Sequence, residues 1–262
     1  MSIKENQSFL TFDNNKCGLL FSDSENQNYP LSYYNMINGS GLVFKKDHSY
    51  FGYVYEGLII INDINLQKGM FFSLNKMNIN INNSLSKTII IEVPNLLGSY
   101  LKSEFQAYNI YGGPVEKKGR LKYIDGCTDS LLISPVKKGD PCLNHLHFPK
   151  QINQTLHTHP SHRIGIVANG AGECITPFGN TLLEKGMIFI IKEWNGKDYS
   201  TGLDGLIYEN GIHAFKTQDS SMDVIAFHPD SDFGPEDDNH PMINRTIVNG
   251  SSAKNMIDIR TK

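Results

Sequence analysis

Apolar residues along this chain come in short runs cut off by Gly, Asn, Asp or Pro. Leu58 to Ile61, Lys87 to Val93, Ile164 to Val167, Met187 to Ile191 and Val224 to Phe227 are rich in β-branched or aromatic side chains, the composition of strands. Recurrence at i, i+3, i+4 and i+7 is nearly absent, and the best helical candidate is the stretch from Leu96 to Gln106. Many short strands separated by turn residues predict an all-β sandwich or barrel. No run approaches the ~20 apolar residues that a membrane helix needs.

Two blocks recur. GYVYEG at Gly52–Gly57 matches GIVANG at Gly165–Gly170, an offset of 113 residues (52 to 165). LQKGMFFSL from Leu66 matches LEKGMIFII from Leu183, an offset of 117 (66 to 183). In each copy a strand ends in Gly, a hairpin follows, and a second strand opens at L-x-K-G-M. Tandem copies of one β unit predict two similar barrels. The change-over is expected near residues 112–127, where YGGPVEKKGR concentrates Gly, Pro and charge. That gives an N-terminal barrel over 1–120 and a C-terminal one over 121–262.

With 262 residues, 39% hydrophobic and 10% aromatic, the chain has material for a sizeable core and is not disordered. Charged residues are 19% and the formal net charge is -3, so nothing favours phosphate neutralisation and a nucleic-acid partner is not expected. Cys17, Cys127, Cys142 and Cys174 show no CxxC spacing and read as free thiols of a reducing compartment. The first residues lack an apolar targeting core. The expectation is a soluble, cytoplasmic protein with a small-molecule substrate and no membrane partner.

The second copy of the repeat carries the chemistry. In LHTHPSHRIGIVANGAGE, His157 and His159 stand two apart just before a strand-like run. On a strand that spacing points both imidazoles to one face, hence into one barrel interior. His213, in NGIHAF, follows a turn at Asn210-Gly211 that delivers a new strand. Three neutral imidazoles on neighbouring strands form a facial set for one divalent transition metal: Fe(II), Mn, Ni, Zn or Cu. His145 and His147 alternate on the preceding strand and are candidates for proton transfer in the same pocket, with His147 taken as catalytic. Glu173 is a lesser candidate for a general base.

These residues resemble the cupin superfamily, whose motifs read G-x5-H-x-H-x3,4-E-x6-G and G-x5-P-x-G-x2-H-x3-N. His157 and His159 match the H-x-H, Gly170 the closing glycine, Gly186 the start of the second motif and His213 its histidine. The resemblance covers residues 140–230, with a degenerate version over 40–95, and so implies a bicupin: two tandem double-stranded β-helix (jelly-roll) barrels. The first copy offers only His48, which implies a metal-free barrel that is structural or closes the other's pocket. Two departures stand out. Arg163 occupies the place of the family's metal-binding Glu, and a guanidinium cannot ligate a cation. His162, one position earlier, replaces that ligand only if the strand bulges. The second departure lies between Gly186 and His213, where an insertion carries Trp194, Tyr199 and Tyr208. It reads either as a lid or as a decorated hairpin.

Some cupins with three-histidine sites are thiol dioxygenases. The resemblance thus implies an Fe(II)-dependent dioxygenase acting on a small carboxylate-bearing substrate. His157, His159 and His213 would hold the iron, and Arg163 would orient the carboxylate unless it sits in a structural ion pair. A Mn- or Zn-dependent hydrolase or isomerase is the second enzymatic reading. Similar bicupins, a ureidoglycine aminohydrolase and a uronate isomerase, use a carboxylate ligand that Arg163 does not supply. A non-catalytic small-molecule-binding cupin is the competing class. A homodimer is expected. The tail from His228 is read as an extension wrapping one barrel, with Arg245 a possible reach-over contact.

Overall fold

The computed structural model describes residues 5–75, 81–95, 105–137, 139–231 and 247–252. Most of the helical candidate around Leu96 to Gln106 lies outside the described residues, as do Arg245 and most of the tail. Among the described residues the only helical element is a short 3-10 turn, Ile124–Gly126. The rest is the all-β fold that the short apolar runs predict.

Two antiparallel sheets carry the structure. The first is built from β2 (Gly18–Asp23), β3 (Leu31–Ile37), β7 (Ile81–Pro94), β4 (His48–Ile61), β6 (Phe71–Asn75) and β8 (Ile110–Gly112) in that order, with β5 (Ile64–Gln67) beside β4. The second runs β1 (Phe9–Phe12), β14 (Ile188–Ile191), β12 (Arg163–Ile175), β18 (Met222–His228), β11 (Cys142–Phe148), β10 (Thr128–Ile133), β9 (Leu121–Lys122). β13 (Thr181–Glu184) and β17 (Ala214–Lys216) also pair with β12, and β15 (Tyr199–Thr201) with β16 (Ile207–Glu209) forms a separate hairpin. The sheets change over between β8 and β9, within the Gly- and Pro-rich stretch.

The division expected at 120/121 differs from the structure in two respects. β1 crosses to the second sheet, pairing Phe9 with Ile191 and Phe12 with Ile188. Both sheets belong to one compact unit, residues 1–231, and 232–262 form another. That second unit is described only at the hairpin β19 (Ile247–Val248) and β20 (Ser251–Ser252).

The repeat is a repeat of structure. Gly52 and Gly165 face the rings of Phe72 and Phe189, where an added Cβ would lie 2.2 and 2.5 Å from ring carbon. Each glycine is a notch for an aromatic residue 20 to 24 positions later in the chain (52 to 72, 165 to 189). Val54 N–H donates to Met70 O and accepts at its carbonyl from Gly69 N–H; Val167 makes the same pair with Met187 and Gly186. Gly57 and Gly170 both have φ +72°, and a Cβ at either would sit 1.8 Å from a backbone oxygen across the sheet. Only glycine meets both demands at once.

Alternation along the strands sorts the apolar side chains into layers. Met36, Tyr50, Phe72 and Ile90 fill the interior of the first barrel, while Phe148, Val167, Phe189 and Val224 belong to the interior of the second. A larger core lies between the sheets, where Tyr33, Phe51 and Ile91 meet Ile164, Ile166, Ile190 and Phe227. Tyr33 Oη also donates to Gly165 O across this layer, at 3.3 Å. Each fully buried Phe, Ile or Leu here contributes roughly 1.5–3 kcal/mol relative to exposure. The two barrels are therefore held by apolar contact rather than by a linker alone.

Candidate metal centre

The H-x-H lies on an extended segment ahead of β12, not on a regular strand. Among the described residues its one ladder contact is a bridge in which His157 N–H donates to His213 O and His213 N–H donates to His157 O, both at 3.0 Å. Trp194 N–H donates to His159 O at 2.9 Å. The insertion that carries Trp194 is thereby tied to the H-x-H, and its hairpin is β15–β16. Gly211, at φ +84°, makes the turn before His213, and a Cβ there would meet Lys192 O at 2.5 Å.

The backbone bridge brings three imidazoles together. One ligand atom from each of His157, His159 and His213 lies within 4.8 Å of the other two, and ring centroids are 4.5–5.2 Å apart. His157 Nδ1 donates to Thr155 O at 2.8 Å and His213 Nδ1 donates to Gly211 O at 3.0 Å. A carbonyl only accepts, so in both rings the proton sits on Nδ1 and Nε2 keeps its lone pair. His213 is fully buried, and its Nε2 has no partner among the described residues. A buried acceptor without a donor is costly, and a divalent cation would satisfy it. Burial, followed by the charge of Arg163, holds His159 far below the usual imidazole range. Burial, followed by His157, lowers His213 to about 3. These rings are neutral at physiological pH, the state in which they ligate. The residues present fit a divalent transition metal.

A small cavity of about 30 Å³ adjoins the cluster, walled by Phe148, Phe189, Ile191 and Val224 with Tyr123, Gln154, Arg163 and His228 as further polar members. That is room for a water or a compact polar group. Arg163 opens β12, with Nη1 donating to Asp230 Oδ1 at 2.5 Å and to Ser161 Oγ. Burial works to raise Asp230, and the guanidinium, the Ser161 hydroxyl and His228 together outweigh it, leaving the carboxyl below its usual range. Arg163 thus occupies both places considered for it: it makes an ion pair and it lines the cavity.

His147 does not join this site. Leu146 and Phe148 of β11 line the cavity, so strand alternation turns His145 and His147 to the opposite side. There they line a different cleft with Tyr53 and Asp223, both hydrogen-bonded to Asp223 Oδ1, at 3.1 and 2.7 Å. Burial tends to raise Asp223, and the two imidazoles outweigh it to hold the carboxyl low. Glu173 is also outside the cavity, opposite Lys216 and Leu182 in the ladder.

His162 likewise stands apart, within a second cluster of Asp23, His162 and Glu193. Glu193 N–H donates to His162 Nδ1 at 3.0 Å, so the ring proton is on Nε2, which donates to Asp23 Oδ2 at 3.0 Å. Both nitrogens are engaged, and Nε2 has no lone pair to offer a metal. Asn26 Nδ2 joins the group by donating to Asp23 and Glu193. The cluster ties the end of β2 to the segment after β14.

Sequence reasoning missed His228 and its neighbour Asn144. The signal was available: in MDVIAFH, period-2 alternation puts His228 on the face of Val224 and Ala226, both of which line the cavity.

No protein-family model matches the sequence, and no curated protein is significantly similar to it. Solved structures are similar in fold. A protein designated glyoxylate-induced from Pseudomonas aeruginosa superposes with a TM-score of 0.57 at 9% identity, covering 88% of this chain and 92% of that one. Protein Ylba from E. coli gives 0.54 at 11% identity, covering 87% and 94%. A salicylate 1,2-dioxygenase from Pseudaminobacter salicylatoxidans gives 0.52 at 10% identity, covering 82% and 76%. At such identities the likeness is one of fold.

Proposed function

Taking as premise a chain with the two-barrel cupin fold, we propose that it is a metal-dependent enzyme, with Fe(II) the favoured ion and dioxygenation of a small carboxylate-bearing compound the favoured reaction. The observation that carries the reading is the convergence of three imidazoles, two of them held at Nδ1 by a carbonyl so that Nε2 faces the cluster. His157, His159 and His213 would hold the metal, which supplies Lewis acidity and, as iron, binding of dioxygen and substrate in one coordination sphere.

The chain's own residues supply the rest. The carbonyls of Thr155 and Gly211 hold two of the rings in the ligating tautomer, the kind of support that typically governs metal affinity. Phe148, Phe189 and Ile191 wall the cavity with hydrocarbon, which keeps water few and strengthens each polar contact within. Arg163, steadied by Asp230, orients the substrate carboxylate. Iron is preferred because the fourth, carboxylate ligand of many cupin sites is replaced by Arg163, and the fold likeness to a salicylate 1,2-dioxygenase is consistent with it.

Elemental analysis of protein purified without chelator or nickel resin tests the proposal. About one iron per chain, lost in His157→Ala, is the expected result, followed by oxygen uptake with small thiol and hydroxy acids. Zinc or manganese would redirect the reaction to hydrolysis or isomerisation, and no metal at all would refute the three-histidine centre.

A further inference from the structure

Arg163 and His228 both line the cavity, and each brings a nitrogen donor. Arg163 spends Nη1 on Asp230 and Ser161, while its Nε is buried with no partner among the described residues. His228 accepts at Nδ1 from Asn144 Nδ2, at 3.2 Å. An amide nitrogen only donates, so the proton of a neutral His228 lies on Nε2. The two side chains are neighbours by construction: Ile164 pairs with Phe227, and Arg163 and His228 are the next residues along those strands. Both line the same cavity as the three imidazoles. Burial and the adjacent guanidinium lower His228 to about 3, so it remains a neutral donor throughout the physiological range.

A buried donor left without an acceptor, here Arg163 Nε, calls for a ligand that brings one, and a pair containing a guanidinium calls for an anion. We infer that Arg163 Nε and His228 Nε2 form an anion-binding pair that takes the carboxylate of a small acid, with Asn144 as the positioning residue that fixes His228 as donor. This deepens the proposed function and rests on it for the identity of the acid as substrate. The roughly 30 Å³ of space suits a carboxylate group rather than an aromatic ring. His228 is neither a metal ligand nor a base in this arrangement.

The test uses the full chain and acetate as probe. Long-range ¹H–¹⁵N correlation of the histidine rings in the metal-free protein should find the His228 proton on Nε2, and acetate should shift that resonance. By calorimetry, His228→Phe and Arg163→Lys, the latter keeping a cation beside Asp230, should each weaken acetate binding by at least about tenfold. A proton on Nδ1 overturns the inference without any variant having to fold. So does acetate affinity unchanged in both variants. Metal content in His157→Ala tests the metal reading separately. A wild type without metal, but with Nε2 protonated and acetate bound, would sustain the anion pair and remove only the metal.

Discussion

His213 and His162 are both buried imidazoles with a hydrogen bond at Nδ1, yet their partners are opposite in kind. A carbonyl faces the first and a backbone N–H the second, so one ring presents a lone pair at Nε2 and the other a proton. Residue type and spacing alone do not distinguish them, which is why His162 stayed open as a ligand in the sequence. The same burial has a consequence for pH. Unfolded, the imidazoles take up protons near pH 6.5; folded, His213 and His228 resist until about 3. Between those values the unfolded chain binds more protons, so stability of the metal-free protein falls as pH drops, by up to roughly 1.4 kcal/mol per pH unit for each ring. Urea unfolding from pH 7 to 4 should show this slope, and His228→Phe should reduce it by about one proton. An unchanged slope would contradict a buried neutral His228.

At the scale of elements, the notch glycine Gly165 and the turn glycine Gly211 make separable demands. Gly165→Ala places a methyl against the Phe189 ring and should cost on the order of 1–3 kcal/mol by overpacking, read as a shift in the denaturation midpoint. Gly211→Ala removes no ligand but strains the turn that positions His213 and whose carbonyl fixes its tautomer. Metal affinity should fall roughly 10–100-fold while the far-ultraviolet spectrum is kept; full affinity would show that the turn is dispensable. The repeat, the strands and the H-x-H were legible because each is written in local pattern: period two, a glycine at a fixed place, imidazoles two apart. His147 was misplaced because alternation fixes only that His145 and His147 share a face. Which face meets the cavity depends on how β11 lies between β10 and β18, and that is a tertiary fact. Arg163 was open between an ion pair and the cavity because Asp230 lies 67 residues on.

For the molecule as a whole, the shared core between the sheets predicts that residues 1–231 unfold together. Trp194 fluorescence and the near-ultraviolet signal of the tyrosines in the first barrel should report one midpoint, and two midpoints would argue for barrels that fold independently. β1 makes the point sharper. Deleting residues 5–13 removes no proposed ligand, yet it strips a strand from the barrel that contains all of them. The expected outcome is a lower melting temperature together with weaker metal retention, and unchanged retention would show that β14 tolerates an open edge. This crossing was invisible in the sequence, since FLTF carries no mark of which barrel it joins.

That strand also sets an order of events during synthesis. Phe9 leaves the ribosome 182 residues ahead of Ile191, its partner (9 to 191), so the sheet of the three histidines cannot complete its edge until nearly the whole compact unit has emerged. Meanwhile the first barrel has all its strands and can assemble. For that interval β1 is an unpaired ribbon beside a finished barrel, free to take the β14 of a neighbouring chain instead of its own. Crowded polysomes should therefore favour exchanged dimers, and slowing translation between residues 112 and 191 should enrich them.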